Sequence, residues 1–514
     1  ESWSLVTPGG GGRTMWCAMS PHDSRQLVAA GDMGGVFRSE DGGANWDFCD
    51  STVIERVPHI NGCSPWEYIV DRPGEIWVGS RTCGLLNSPD YGKTWRRVPG
   101  PWDELEACDW FHCAGPHIIR FCPDDSRFGI AAWNKFGNDS SRRIFITDDA
   151  GLNWLPFETG PVSSDIMELV YRGPDSIFVI CRDAVVKLAE GQYELIELPE
   201  GRTVKAACGC RDTVYLIMDA VCEELAEANM SMQSGVNTEL WKLCLRSENM
   251  CQVKLPVEGV MLSTVASCRN RPDTAYLGIK GEPELSGDRI STLLKSVDGG
   301  RSWQPVLFRH PDQPGFNISR DRWTTGEWGW QTPPWSVFVD YTDPDKVTFT
   351  DFTMCGVSHD GGGQWDIVSS APMHNNESPA GGMQMLTGWN YYIKGNYHFG
   401  ATTDFTAWKS RDAGLNWVFC PPDKTPWHNN IYAMAFLPAG RIFGAASLKH
   451  DLPYWHHMLS QGTQPHLWRG GVVISDDDGV TWTHLEPSLY NLPDLPATDI
   501  LYDEKHNRLY VAYV

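Results

Sequence analysis

The sequence predicts an all-β protein built from repeated four-stranded sheets, and two observations support this prediction. A short pattern, Ser/Thr-x-Asp-x-Gly-x-x-Trp, occurs seven times in the 514 residues. Each copy lies between two short runs of strand-forming residues, such as Gly35–Arg38 and Trp46–Cys49 around the first. The abundance of Gly (50), Pro (34) and Trp (24) agrees with many short strands joined by tight turns.

The repeated pattern has the chemistry of a hairpin tip. Its copies occupy residues 39–46, 88–95, 147–154, 296–303, 358–365, 410–417 and 475–482. An Asp side chain can bond backbone N–H groups one or two residues further on, and Gly adopts the positive φ that the turn needs. The Trp then packs a large apolar ring into the strands that follow. We therefore predict a turn between the third and fourth strands of a repeating unit at every copy.

Around each turn the chain has the order strand A, strand B, strand C, turn, strand D. Residues 155–295 contain no copy of the turn but still show two degenerate units, over 165–198 and 204–255. The count is nine complete units, followed by strands A and B of a tenth within 497–514. No linker or change in composition marks a domain boundary, so the sequence predicts one repeat array over residues 1–514.

The turn resembles the Asp-box, or BNR repeat, of β-propeller proteins. The sequence therefore predicts an Asp-box β-propeller of about ten four-stranded blades, nine complete and one partial. Two arrangements stay open at this point. The blades form one large ring, or they are part of a two-propeller architecture.

Composition excludes some classes of partner. The formal net charge of −23 argues against nucleic acid and anionic membranes, which select basic surfaces. No apolar run is long enough to span a membrane. The sixteen cysteines lack the paired spacing of a zinc site, so we expect no metal and no cofactor. Cysteines within apolar strands (Cys17, Cys181, Cys244 and Cys268) are predicted to be buried free thiols, with a few disulfides in a secreted chain as the alternative.

The long insertions fall between strands D and A or between B and C. They are residues 99–116, 309–334 and 449–470, and they combine indole rings with carboxylates, imidazoles and guanidinium groups. Indoles can lie against the C–H faces of sugars while the polar groups bond hydroxyls, which predicts a carbohydrate cleft on one face. About half of these Trp are expected only to pin loops. The candidate substrate-binding residues are Trp102, Trp110, Arg322, Trp323, Trp328, Trp330, His428, His450, Asp451 and Trp455.

Three carboxylates occupy equivalent ends of strand B: Asp32, Asp351 and Asp404. Glycoside hydrolysis needs one carboxylic acid to protonate the leaving oxygen and a second carboxylate as base or nucleophile. These residues are therefore the candidate catalytic set. The alternative is that each Asp caps its own B–C turn.

The N-terminal stretch also resembles glycoside hydrolase family 74. The resemblance rests on Gly9–Gly12, Met19-Ser-Pro21, Leu27–Gly31 and Asp32-Met-Gly-Gly-Val-Phe-Arg-Ser39. It implies an inverting xyloglucanase built from two seven-bladed propellers, with Asp32 as one catalytic residue. The family's other catalytic Asp belongs to its second propeller, and Asp404 and Asp351 are the candidates for it.

These observations together predict a secreted carbohydrate-active enzyme, extracellular or periplasmic. Its expected activity is hydrolysis of a plant or algal polysaccharide or oligosaccharide. A polysaccharide lyase using His or Tyr with Arg is the first alternative. A non-catalytic glycan- or peptide-binding propeller is the second. The sequence leaves the oligomeric state open.

Overall fold

A computed structural model describes residues 7–10, 14–31, 35–49, 66–80, 84–104, 115–134, 142–157, 164–189, 191–220, 238–257, 260–280, 291–309, 312–319, 332–351, 354–375, 377–383, 388–403, 407–419, 426, 430–438, 440–449, 452 and 468–514. These residues are mostly strands, with a short 3₁₀ helix at Pro101–Glu104 and a single-turn α-helix at Pro487–Tyr490. Their packing divides them into two compact units, one within residues 13–369 and one formed by 7–10 and 370–514. No helix among them is long and apolar enough to cross a membrane.

Within its described residues, the first unit contains seven antiparallel sheets, blades one to seven, each with strands in the order A, B, C, D. The A strands are Thr14–Met19, Trp66–Tyr68, Ile118–Phe121, Ile166–Gly173, Arg202–Cys210, Met261–Cys268 and Ser336–Val339. The B strands are Leu27–Gly31, Ile76–Ser80, Gly129–Trp133, Ser176–Cys181, Thr213–Ala220, Arg271–Lys280 and Val347–Thr350. The C strands are Gly35–Ser39, Gly84–Ser88, Arg143–Thr147, Ala184–Ala189, Thr238–Cys244, Thr292–Ser296 and Cys355–Ser358. The D strands are Asp47–Phe48, Arg96–Val98, Leu155–Phe157, Gln192–Glu197, Met250–Val253, Gln304–Pro305 and Asp366–Ile367.

Blade seven packs against blade one, so the first unit closes on itself. The hydroxyl of Thr348 in blade seven donates a 2.6 Å hydrogen bond to the Cys17 carbonyl of blade one. The indole N–H of Trp335 donates to the Thr14 carbonyl at 2.9 Å. Closure of this kind is how propellers protect their strand edges.

The box turns share one hydrogen-bond pattern, which residues 39–46 illustrate. Ser39 Oγ accepts the Gly43 N–H at 2.8 Å and donates to Asp41 Oδ1 at 2.8 Å. Asp41 Oδ1 also accepts the Asn45 N–H at 2.9 Å, and the other six turns repeat the Ser/Thr-to-Asp and Gly-to-Ser/Thr bonds. The predicted hairpin tip between strands C and D is therefore confirmed.

The second unit contributes three sheets among its described residues. Blade eight has five strands, Ser378–Pro379, Gly388–Lys394, Tyr397–Thr402, Ala407–Ser410 and Asn416–Phe419. Blade nine comprises Asn430–Phe436, Ile442–Ser447, Gly470–Ser475 and Thr483–His484, and the last sheet is the hairpin Ala497–Asp503 with Arg508–Tyr513. Gly9 forms a β-bridge with Ser370, which attaches residues 7–10 to this unit.

The predicted count of nine complete blades and a partial tenth is confirmed in these described residues, with the degenerate units as blades four and five. A single ten-bladed ring is ruled out because blades one to seven already close. The packing boundary falls directly after blade seven, near residue 370, where the sequence shows no linker. Which blades close together depends on contacts between blades far apart in the chain, and no local pattern records them.

Several cysteines have the predicted state. Cys17, Cys181 and Cys268 are buried free thiols, whereas Cys244 is half-buried. Burial raises the pKa of Cys181 to about 12, so this thiol is an inert part of the core at neutral pH.

Candidate functional site

The strand order separates two edges of every blade. Because neighbouring strands are antiparallel, the A–B turns and box turns lie at one edge, and the B–C and D–A connections lie at the other. Hydrogen bonds join the two kinds of turn at the first edge, for example from Gly42 N–H to Arg25 O at 2.8 Å. We call the opposite edge, with the B–C and D–A connections, the cleft edge.

The predicted insertions start and end at the cleft edge of their blades. Residues 99–116 join strand D of blade two to strand A of blade three, and residues 309–334 join strand D of blade six to strand A of blade seven. The strands that flank both insertions belong to the closed seven-bladed unit, so each insertion begins and ends at the same face of its ring. Residues 449–470 are a B–C connection of blade nine in the second unit. The strand ends thus support the predicted gathering of long loops in the first unit.

Most of the predicted site residues lie outside the described residues, and their roles stay predictions. They are Asp32, Asp404, Trp110, Arg322, Trp323, Trp328, Trp330, His428, His450, Asp451 and Trp455. The strands before the two Asp residues are described. Asp32 directly follows strand B of blade one, and Asp404 follows strand B of blade eight by two residues.

Asp351 is described, and it has the contacts of a structural carboxylate. Its Oδ1 accepts the Met354 N–H at 2.7 Å, and its own N–H donates to the Met354 carbonyl at 3.0 Å, so it caps its own B–C turn. Its Oδ2 accepts a 2.6 Å bond from Arg309 Nη1, which also donates to the Thr332 carbonyl at 2.9 Å. Neither charged side chain has any exposed surface. This placement favours the turn-capping alternative over a role as catalytic acid or base, because a substrate cannot reach the carboxylate.

The pair between Arg309 and Asp351 connects the two ends of the 309–334 insertion to blade seven. Burial lowers the pKa of Arg309, and the charge of Asp351 opposes that shift. Arg309 Nε and Nη2 have no hydrogen-bond partner among the described residues, so the Asp351 carboxylate is the main group that stabilises the buried charge of Arg309. We infer that the pair positions the insertion.

The prediction that Trp102 binds substrate is wrong. Its ring is fully buried between blades two and three, stacked on Trp133 with centroids 5.1 Å apart. Its Nε1 donates to the Val98 carbonyl at 2.9 Å. A Cβ at Gly84, where φ is +77°, would lie 2.4 Å from the indole. Trp102 therefore fills the core, one of the loop-pinning tryptophans that the sequence led us to expect.

The cleft edge of blades three to five carries charged side chains that the sequence analysis missed. Arg142 and Asp165 form an ion pair at 2.9 Å, and Arg202 pairs with Glu239 at 2.8 Å. Asp183, in the B–C turn of blade four, accepts a hydrogen bond from Ser164. The connections that carry these charged residues contain no Trp-rich insertion, so the sequence analysis did not select them. An acidic residue two positions after a predicted strand B, as Asp183 is after Cys181, is the signal that was available.

His117 also lies at this edge, at the start of strand A in blade three. Its Nε2 is 2.9 Å from the Ile166 carbonyl, and its Nδ1 accepts the Asn134 N–H at 3.1 Å. Burial lowers its pKa, while the hydrogen bond to Ile166 opposes this shift. These contacts are those of a loop-bonding histidine. Within the described residues, no group of three or more His, Cys, Asp or Glu side chains could hold a metal ion.

These features define a β-propeller protein with box turns and a closed seven-bladed unit. Its fold is similar to that of the Niastella koreensis GH74 enzyme (TM-score 0.70, 14% identity, covering 100% of this chain and 71% of that one). It is also similar to an ancestral GH74 enzyme (0.72, 14%, 100% and 68%). A third similar structure is the GH74 xyloglucanase from Xanthomonas campestris (0.65, 14%, 94% and 68%). No protein-family model and no curated protein matches the chain. The resemblance to family 74 drawn from residues 9–39 is thus confirmed at the level of the fold.

Proposed function

We propose that this protein is a secreted glycoside hydrolase that cleaves a plant or algal polysaccharide or oligosaccharide. The observation that carries the proposal is the likeness in fold to GH74 enzymes over the whole chain. The strands that flank residues 99–116 and 309–334 end at one face of the closed ring, which supports it further. That placement suits a groove in which indoles stack on sugars.

In this mechanism one carboxylic acid protonates the glycosidic oxygen and a second carboxylate activates a water molecule. We assign one of these roles to Asp32, which follows strand B of blade one in the sequence, and we keep Asp404, which follows strand B of blade eight, as the candidate for the other. Asp351 is kept out of the pair because it is buried against Arg309. We expect the ligand to be a glycan, and we expect the protein to act outside the cytoplasm.

The test is a panel of plant and algal polysaccharides assayed for new reducing ends. We expect Asp32→Asn and Asp404→Asn each to lower turnover by more than about 10²-fold, the usual size of an acid–base contribution, without loss of fold. Unchanged turnover in both variants would end the assignment. Ultraviolet absorbance from an unsaturated uronate product would indicate a lyase instead.

Asp351→Asn is the matched control for these two variants. It leaves the buried Arg309 without its counter-charge, so we expect it to lower the free energy of unfolding by about 3–5 kcal/mol. Denaturant titration measures this loss. A stable Asp351→Asn protein with abolished turnover would return Asp351 to the catalytic set.

A further inference from the structure

An open groove of about 690 Å³ lies between blades three and four of the closed ring. Its apolar wall is formed by Phe128, Ile146, Leu155 and Phe157 from blade three and by Tyr171, Ile177, Leu188 and Tyr193 from blade four. Leu155 is 62% exposed and Tyr193 is 51% exposed. Large apolar side chains open to solvent within one concave surface mark a binding site more often than an ordinary surface.

The groove lies where other blades insert an indole. All seven box tryptophans are between 1% and 8% exposed. Three of them show the direction of insertion. Trp46 of blade one donates to the Val368 carbonyl of blade seven at 2.7 Å, and Trp365 of blade seven donates to the Val306 carbonyl of blade six at 2.8 Å. The ring of Trp154 in blade three meets that of Trp77 in blade two. In blades one, three and seven the box Trp is thus wedged against the neighbouring blade that precedes it in the ring.

Blade four lacks this wedge, and strand register shows what replaces it. In blade two, Ile76 of strand B pairs with the box residue Ser88 at the end of strand C. Asn87 pairs with Arg96 of strand D, so the residue that continues this register opposite Ser88 is Trp95. The matching row in blade four is Ile177, Leu188 and Tyr193. The C–D turn is also short, since Ala189 pairs directly with Gln192. Tyr193 therefore occupies the Trp register without the box loop that would fold it inward.

The rim of the groove is acidic. Asp148 and Asp175 line it, one from each blade, together with Asn153 and Gln192. The lining contains no Lys or Arg among the described residues, and the Arg127 guanidinium that lies over the lining residue Phe128 is already paired with Asp125. A ligand that carries positive charge next to its aromatic ring is favoured at such a rim.

We propose that this groove binds an aromatic side chain, an indole above all, presented by an extended basic segment of a partner protein. The ring takes the interblade position that a box Trp fills in the neighbouring blades. Basic side chains beside it face Asp148 and Asp175. Burial of one large ring in a preformed pocket is the usual anchor of such an interaction. The proposal does not depend on hydrolase activity.

The test uses calorimetric titration of the whole chain with an eight-residue peptide that has one Trp between two Lys. The matched peptides carry Ala in place of Trp, or Glu in place of both Lys. We expect saturable binding of the Trp–Lys peptide and at least tenfold weaker binding of the Ala peptide. The Glu peptide is expected to bind more weakly at low salt, and this difference is expected to shrink as salt is added.

Two surface variants locate the binding. Leu155→Asp places a charge on the groove wall, and we expect it to lower the affinity for the Trp–Lys peptide at least tenfold. Leu152→Asp changes a similarly exposed leucine (66%), three residues away, that does not line the groove. We expect this variant to bind the Trp–Lys peptide with an affinity within twofold of that of the unchanged protein. Thermal unfolding of each variant confirms that it is folded.

Three results would overturn the proposal: equal binding of the Trp and Ala peptides, no saturable binding, or an unchanged affinity in folded Leu155→Asp. Displacement of the peptide by a neutral oligosaccharide would assign the groove to a sugar instead. Because the readout is peptide affinity, failure here leaves the proposed hydrolase unaffected, and a failed polysaccharide assay leaves this site unaffected.

Discussion

Blades three and four of the same ring hold their outer strand in two different ways. Strand D of blade three has three residues, Leu155–Phe157, and a box turn precedes it. Strand D of blade four has six residues, Gln192–Glu197, all paired with strand C across a tight turn. The short strand even contains Pro156, which cannot donate to the ladder. The box turn and its buried Trp therefore hold strand D of blade three in place, whereas a longer hydrogen-bonded ladder holds strand D of blade four.

The other blades of the first unit follow the same division. Within the described residues of this unit, box-bearing blades have D strands of two or three residues, and blade six also has a proline there, Pro305. Blade five, without a box, has a D strand of four residues, Met250–Val253. The turn anchor and the ladder are thus two interchangeable ways to attach an outer strand. The first buries an indole between blades, and in blade four the second leaves the groove described above.

The sharpest test of this comparison removes the aromatic ring at the same register in both blades. We expect Trp154→Ala to lower the free energy of unfolding by about 3–5 kcal/mol, since a nearly buried indole leaves a cavity. Tyr193→Ala is expected to cost about 1 kcal/mol or less, because half of that side chain is already in water. Urea titration of both variants gives the two values, and equal losses would break the comparison.

A second test removes the carboxylate that organises the box of blade three. Asp149 Oδ1 accepts the Thr147 hydroxyl at 2.8 Å and the Asn153 N–H at 2.9 Å. We expect Asp149→Ala to cost about 1–2 kcal/mol, the size of one or two net hydrogen bonds. The neighbouring, exposed Asp148 is the control, and its change to Ala is expected to stay within about 0.5 kcal/mol. Urea midpoints measure both, and a larger effect at Asp148 would contradict the assignment.

The smallest expected effect is a pH dependence of the box turns. Hydrogen bonds from the Ser302 hydroxyl and N–H hold the pKa of Asp298 at about 2, below the value of about 3.9 expected in the unfolded chain. The folded state therefore binds this proton less readily, so the stabilisation is present above pH 4 and is lost as the pH falls from about 4 to 2. NMR titration of Asp298 gives its pKa in the folded state, and Ser302→Ala should raise it. An unchanged pKa in that variant would contradict the assigned cause.

The candidate site shows where sequence reasoning stopped. The positions of Asp32, Asp351 and Asp404 at the ends of B strands followed from the repeat and agree with the strands that the structure describes. The burial of Asp351 did not follow, because its partner Arg309 lies 42 residues away. The burial of Trp102 did not follow from the sequence for the same reason, since the Trp133 ring that covers it belongs to the next blade. The exposure of a loop side chain depends on the residues that pack against it, and the sequence of the loop does not identify those residues.

The sequence by itself determined the turns, the strand order and the number of blades, even for the two blades without a box. These depend on hydrogen bonds and side-chain alternation within a few residues, so a short stretch contains the needed information. Only the tertiary structure decided that blades one to seven close, through contacts such as Thr348 to Cys17, 331 residues apart. It also decided that blade four leaves a groove, because the fit between two sheets depends on side chains that each sheet contributes separately.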